Sequence, residues 1–331
     1  MNNKLAVNKK KIDISKVLLG NKTVFILILL LFIMSLVSDV FLTKTNLFNV
    51  LRQICVSVIL GCGYTIIIGS GHIDLSVGTM MGLVGILVGK LLLAGVPITI
   101  AIFIGCLIGA SCGALNATLI TVFGLQPFIV TLATKSLYEG IGYLVTKMVP
   151  VSGLPKEFIT LGQGTFLSIP IPVYVMFLTL VVMIVTVSRT KLGRHAIAIG
   201  GNTEAARVSG INVGRTRLKV YMIAGVCVGI AAAMLTARSA SAQVAAGQGM
   251  EMDSIAAVVM GGTPMGGGKA TVLGTLFGCI IVGVVKNGLN LLGVDPNWQV
   301  IAKGMMILLA VVLDVISTRM YSNRNKTTKV K

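Results

Sequence analysis

Charged side chains inside apolar stretches are the residues of this sequence most able to do chemistry. Asp74 and Asp253 each stand at the head of an apolar run. An Asp placed there can cap the following helix by accepting bonds from its free backbone N–H groups. It can also offer oxygen acceptors to a hydroxylated solute. Lys135 and Glu139 lie one helical turn apart within another run. Their spacing predicts a mutual ion pair, because charges inside a membrane helix pair up.

Uncharged polar side chains occur in the same runs. Amides and hydroxyls can bond the hydroxyl groups of a neutral polyol, and they can equally bond neighbouring helices. A path for such a solute needs these groups in place of rings of charge. The candidates for a path are Asp74, Ser76, Asn116, Gln126 and Asn290.

The glycine-rich stretch Gly266–Lys269 is not a phosphate-binding loop. That motif requires Gly-x4-Gly-Lys-Ser/Thr. Thr263 stands where its first glycine belongs, and Ala270 follows Lys269. The six cysteines form no Cys-x-x-Cys pair, and the two histidines are far apart. We therefore expect no metal, no bound cofactor and no enzyme site. If ATP drives this protein, ATP and Mg²⁺ are held by another chain.

Composition identifies the class of protein that these residues must sit in. The chain of 331 residues is 55% hydrophobic and 11% charged, whereas soluble domains carry about 25% charged residues. About twenty apolar residues cross a bilayer. We predict an all-α integral membrane protein with about ten transmembrane helices, at 24–42, 47–69, 74–94, 97–122, 126–146, 170–188, 218–241, 252–263, 269–292 and 298–318.

The net charge of +18 is concentrated outside the apolar runs. It defines a basic N-terminus (1–22), a single polytopic permease domain (23–318) containing a basic loop (189–219), and a basic tail (319–331). Lys and Arg are retained on the cytoplasmic side of a membrane and attract anionic lipid. This distribution predicts cytoplasmic termini and a cytoplasmic 189–219 loop, and it needs no nucleic-acid partner.

Two segments interrupt the apolar pattern. Ser70–Gly78 separates the second and third runs, and the eighth run is a half-helix that breaks into the glycine loop 263–270. Such breaks are tolerated only inside protein or beside a water-filled cavity. Asp74 and Asp253, like Asn116 and Asn290, lie five spans apart, which is the pattern of an inverted repeat. Matches this short also arise by chance.

The 189–219 loop contains a short helical pattern. Residues 203–210 have the length of about two turns, with Asn202 or Thr203 as the cap and Gly210 as the end. A helix displayed there is suited to docking a soluble partner. The alternative is an ordinary solvated connection.

Several motifs resemble the permease subunits of ribose-type sugar ABC importers. They are Leu192–Arg194, Gly200–Asn202, Glu204–Ile211, Ile255–Thr263, Lys286–Gly293, and Gly71–Gly78 with His72 between the signature's glycine and isoleucine. The stretch at 204–210 also resembles the coupling motif of other ABC importer permeases, although the distal Leu-Pro of that motif is absent. The resemblance implies that the ATPase-coupling residues are Gly193, Arg194, Glu204, Ala205, Ala206, Arg207 and Gly210.

The resemblance implies a function as well. It identifies the chain as the bacterial inner-membrane permease that moves a pentose or hexose into the cytoplasm. Its partners would be a cytoplasmic ABC ATPase, an extracytoplasmic sugar-binding protein and a second permease subunit, in this family usually a copy of the same chain. An ion-coupled secondary transporter using Lys135, Glu139 and Asp74 is the alternative.

Overall fold

The computed structural model describes residues 22–309, 311 and 312, which form a bundle of helices. Five helices precede the first long connection. They are α1 (Lys22–Val37), α2 (Lys44–Gly69), α3 (Val77–Leu93), α4 (Ile98–Val122) and α5 (Pro127–Thr146). The connection that follows contains a short helix and an antiparallel pair of two-residue strands. These are α6 (Lys156–Gln163), β1 (Thr165–Phe166) and β2 (Ile169–Pro170).

The second part of the chain is also helical. It comprises α7 (Ile171–Arg189), α8 (Lys191–Gly201), α9 (Thr203–Val208), α10 (Val213–Ser239), a 3₁₀ turn (Val244–Gly247), α11 (Met250–Met260) and α12 (Val272–Leu291). A last helix, α13, occupies 296–309. The prediction of a mainly helical chain is therefore confirmed.

Helix length and composition indicate the spanning elements. Within the described residues, five helices (α2, α4, α7, α10 and α12) are long and apolar enough to cross a membrane, and α3 and most of α1 are shorter apolar helices. The count of ten spans stays a prediction.

Small residues hold the centre of the bundle together. Gly109 on α4 and Gly225 on α10 face each other so closely that a methyl group on either would meet the other's carbonyl oxygen. Gly113 similarly faces the carbonyl oxygen of Tyr221 one turn away. Glycines permit this close backbone approach between membrane helices, as their four-residue spacing predicts.

Both predicted interruptions are present in the fold. Residues 70–76 separate α2 from α3, and α11 has only 11 residues before the non-helical segment 261–271. A further break, at 240–249, lies between α10 and α11. The first turns of α3 and α11 meet, because Gly78 lies against the carbonyl oxygen of Gly247 and the carboxylate of Glu251.

The two ends of the bundle are built differently. At one end, termed the α8–α9 end, Gly200 of α8 packs against the backbone of Gly69 and Gly268. At the opposite end, Val151 and Ala242 exchange two backbone hydrogen bonds of 2.9 Å. This pair joins the long connection after α5 to the break before α11.

Candidate functional site

A closed hydrogen-bond network surrounds Asp74; we term Asp74, Ser76, Asn116 and Tyr138 the Asp74 cluster. Asp74 Oδ1 accepts bonds from the backbone N–H (2.8 Å) and hydroxyl (2.6 Å) of Ser76. Asn116 donates to Ser76 Oγ at 2.9 Å and to Asp74 Oδ2 at 3.4 Å. Tyr138 donates to Asn116 Oδ1 at 3.2 Å. All four side chains are buried.

The cluster has a clear structural role. The carboxylate of Asp74 holds the backbone of Ser76, the residue just before α3. It accepts no bond from the N–H groups of α3 itself, so the predicted capping of this helix is not what the structure shows. Since its neighbours are uncharged donors, the carboxylate is solvated by dipoles instead of water. Three of its four residues, Asp74, Ser76 and Asn116, are also among the five candidates for a solute path. In this closed arrangement their polar groups bond one another, so lining a path remains a prediction for them.

A second group of polar residues is charged; we term Lys135, Glu251, Asp253 and Lys303 the charged row. Lys135 Nζ lies 2.7 Å from Glu251 Oε1, and Lys303 Nζ lies 2.7 Å from Asp253 Oδ1. The row therefore links α5 to α11 and α11 to α13. The lysine side chains are 29% and 27% exposed, so the row reaches the lateral surface of the chain.

The charged row corrects one prediction. Lys135 does not pair with Glu139, since Glu139 accepts a bond from Gln248 Nε2 at 2.8 Å instead. Lys135 pairs with Glu251, which is buried at 2% exposure. Sequence spacing favours the local i, i+4 pair. The break at 240–249 brings the carboxylate of Glu251 to Lys135. No local sequence pattern indicates this long-range contact.

Asp253 also differs from its predicted role. It lies inside the first turn of α11, which begins at Met250, and its carboxylate binds Lys303. The acidic first turn still suits the positive end of the helix dipole. Asp253 is thus an ion-pair partner held within the helix, whereas Asp74 precedes α3.

The remaining two path candidates lie elsewhere. Gln126 is exposed in the loop before α5 and lines a cavity with His72 and Arg217. Asn290 is exposed near the end of α12, where its Oδ1 accepts a bond from Gln299 at 2.9 Å. The structure therefore brings Asp74, Ser76 and Asn116 together and leaves these two apart.

The predicted coupling residues lie on α8 and α9. Asn202 caps α9 by accepting a bond from Ala205 N–H at 2.9 Å, and Gly210 has a φ of +83° just beyond the helix. Glu204 and Arg207 form an exposed pair at 3.1 Å. Gly193 and Ala206 are buried, and Arg194 and Ala205 are exposed. The short helical pattern is confirmed, and its docking role remains a prediction.

The most exposed apolar side chain on this short helix is one that sequence reasoning missed. Val208 is 88% exposed at the end of α9, while Ala206 packs under the helix. A valine at this position is unremarkable in sequence because the six-residue helix is too short to show a periodic face. Its exposure suggests an apolar contact point beside the Glu204–Arg207 pair.

These features define a class of protein. Apolar spans, interrupted helices that meet in the bundle and an exposed short helix at one end are the parts of a membrane permease. Within the described residues, no cluster of three or more His, Cys, Asp and Glu side chains is placed to hold a metal.

Comparison with known proteins specifies the family. Residues 46–311 match the family described as "Branched-chain amino acid transport system / permease component", and the chain belongs to this permease family. The ribose import permease protein RbsC of Bacillus subtilis (strain 168) is 41% identical over 290 residues, covering 87% of this chain and 90% of the relative. No solved structure matches the chain.

Two Escherichia coli (strain K12) proteins are also similar. The galactose/methyl galactoside import permease protein MglC is 36% identical over 309 residues, covering 87% of this chain and 92% of the relative. The probable ABC transporter permease protein YphD is 34% identical over 301 residues, covering 91% of each chain. The resemblance to ribose-type sugar permeases is thereby confirmed.

Proposed function

We propose that this chain is the transmembrane subunit of an ABC importer that moves a simple sugar, a pentose or hexose, into the cytoplasm. The observation that carries the proposal is similarity to sugar import permeases along about nine-tenths of the chain. The ion-coupled alternative has no comparable support, since Lys135 and Glu139, two residues it invokes, are engaged with different partners.

The orientation follows from the basic segments. We place both termini and the α8–α9 end on the cytoplasmic side of a bacterial inner membrane, with ten membrane crossings between the two termini. The external connection is then 147–170, which holds α6 and the two short strands. This assignment would present α6 to an extracytoplasmic sugar-binding protein and α9 to a cytoplasmic ATPase that binds ATP and Mg²⁺.

A second copy of the chain is expected to cover the charged row. Lys135 and Lys303 are more than a quarter exposed at the side of the bundle, where lipid would otherwise touch them. Charged groups within a membrane face a protein interior or a water-filled cavity. A homodimer whose two copies meet along α5 would supply both a protein interior and a water-filled cavity around these lysines. The solute path would then run between the copies, beside the Asp74 cluster.

The dimer is tested by a photo-crosslinking amino acid at exposed positions. The probe at Ser136, next to Lys135 on α5, is expected to yield a covalent dimer in membranes. The matched control is Ser111, which is equally exposed on α4. Crosslinking at 111 but not at 136 would contradict the proposed face.

Coupling is expected to act through α9. ATP binding to the partner subunits would press on Val208 and the Glu204–Arg207 pair, and the cap at Asn202 would pass the movement to α8. Since α8 packs on Gly69 and Gly268, a rigid displacement reaches both interrupted segments. Sugar would then pass by alternating access.

Two variants test this step. Val208→Asp and Glu204→Lys are expected to abolish labelled-sugar uptake in cells that carry all subunits, while the amount of inserted permease is unchanged. Lys219→Gln is the control, because it changes an exposed charge on α10 outside α9. Full uptake by both α9 variants would contradict the coupling role. Uptake driven by an ion gradient without the ATPase would contradict the importer assignment.

A further inference from the structure

A cavity at the α8–α9 end is not explained by transport alone. It has a volume of about 320 Å³ and is lined by His72, Gln126, Arg217 and the loop residues around Gly124. A single water needs only about 10–15 Å³, so a small organic molecule fits. The exposed loop 123–126 forms one wall, which makes the cavity reachable from this end of the bundle.

Unpartnered polar groups lie next to this cavity, on two of its lining residues and on a third residue that packs against one of them. His72 is 6% exposed, yet its Nδ1 has no hydrogen-bond partner. Nε of Arg217 is likewise buried and unpartnered. Behind them the hydroxyl of Tyr221, with its ring centroid 5.9 Å from that of His72, has none either. Buried polar groups left unpaired are costly, so a polar ligand that supplied partners to this group of side chains would be favoured.

The local electrostatics favour an anion. No carboxylate is among the described residues that line the cavity, and Arg217 makes no ion pair with a described residue. The 20-residue helix α5 begins at this wall, with Gln126 as its cap residue and no side-chain capping bond. Its N-terminus adds partial positive charge.

His72 contributes as a neutral donor. Burial and the nearby Arg217 guanidinium lower the pKa of His72 to about 4, so the imidazole is uncharged at neutral pH. One of its nitrogens then carries a proton and can donate it. His72 is also the residue by which this chain departs from the signature motif at 71–78, and the transport function gives it no role.

We propose that this cavity binds the phosphate group of a small molecule. Arg217 is suited to phosphate because its planar guanidinium donates in a fork that matches two oxygens. His72 and Gln126 also line the cavity and carry N–H groups that can donate to phosphate oxygens. The ligand is either a soluble phosphate monoester from the cytoplasm or the phosphate of a lipid headgroup, which offer the same chemistry.

Occupancy would also regulate the transporter, an effect that depends on the proposed function. The ligand would connect the α2–α3 turn, the α4–α5 loop and the start of α10. These three segments belong to different helices around the interruption at 70–76. A bridge among them favours one arrangement of the bundle, so a soluble phosphate ester is expected to slow uptake from the inner side.

Binding is measured first, by calorimetry on the full-length chain in detergent. The probes are glycerol 3-phosphate, inorganic phosphate, short-chain phosphatidylglycerol and, as the neutral comparison, ribose. At least one phosphate probe is expected to bind, and Arg217→Gln is expected to weaken it at least tenfold. Tyr221→Phe and His72→Ala should each weaken it less. Arg215→Gln is the matched control, since Arg215 is exposed two residues earlier and does not line the cavity.

The outcomes separate the sources and the two proposals. Binding of glycerol 3-phosphate assigns a soluble ester, and binding of phosphatidylglycerol alone assigns a lipid. Binding of ribose in preference to every phosphate probe, equal binding by the Arg217→Gln variant, or no binding at all would overturn the phosphate site. Because calorimetry needs neither ATPase nor sugar uptake, its result stands whether or not the importer assignment does.

Discussion

The segments that begin α3 and α11 both carry an Asp in the sequence, but the structure stabilises the carboxylates at these two places in different ways. The carboxylate of Asp74 before α3 is stabilised locally, by uncharged donors from Ser76 and Asn116 in a fully buried network. The acids at the start of α11 are paired with lysines from distant helices. The first arrangement fixes a backbone, whereas the second fastens three helices together at the edge of the chain. One repeated sequence feature thus serves a buried hydrogen-bond network in one place and partly exposed ion pairs in the other.

The largest effect is expected where a charge loses its partner. Lys135→Met leaves the buried carboxylate of Glu251 unpaired, and breaking a buried ion pair costs about 3–5 kcal/mol. The unfolding midpoint in mixed micelles should fall strongly. The double variant Lys135→Met/Glu251→Gln should recover most of the loss. Glu139→Gln is the control, since it alters a neighbouring acid outside the row. Equal unfolding midpoints for the wild type and Lys135→Met would contradict the proposed difference between the starts of α3 and α11.

The contact between the two starts is the next target. In Gly78→Ala the new methyl group meets the carboxylate of Glu251 and the carbonyl oxygen of Gly247. Overpacking of this kind costs about 1–3 kcal/mol. Gly140→Ala on α5 is the matched control, because nothing lies within 4 Å of its Cβ position. There the better helix propensity of alanine is expected to stabilise by up to about 1 kcal/mol. Similar midpoints for both variants would show that the starts of α3 and α11 do not touch.

The Asp74 cluster should respond less than the charged row. Asn116→Leu removes the bonds from Asn116 to Ser76, Asp74 and Tyr138. Ser76 and Asp74 still bond each other and Tyr138 still donates to the carbonyl oxygen of Cys112, so the total cost is expected to be about 1–3 kcal/mol. Asn290→Leu, at an exposed amide, should change stability by less than about 0.5 kcal/mol. The comparison fails if Asn116→Leu destabilises more than Lys135→Met.

The smallest effect is expected at α9. Arg207→Gln breaks an exposed pair, and such pairs contribute about 0–1 kcal/mol. The unfolding midpoint should barely move, which sets the baseline for an ion pair outside both helix starts. A shift as large as that of Lys135→Met would show that exposure does not distinguish the pairs.

Sequence reasoning located the elements better than their partners. The break at 70–76, the short α11, the glycine contacts and the α9 cap all follow from local patterns of residue type. The pairing of Lys135 does not, because Glu251 is 116 residues away and only the path of the chain brings it close. The exposure of Val208 and the cavity at His72 depend on how helices meet, which a single apolar or polar residue does not encode.

The two backbone hydrogen bonds between Val151 and Ala242 couple the long connection after α5 to the interior of the bundle. A displacement of the loop that follows α5 is passed through these two bonds to Ala242, five residues before Gly247. The intervening segment ends in the 3₁₀ turn Val244–Gly247, and Gly247 packs against Gly78. A protein that docked at this end of the bundle would therefore be linked, through a short stretch of backbone, to the contact between the starts of α3 and α11.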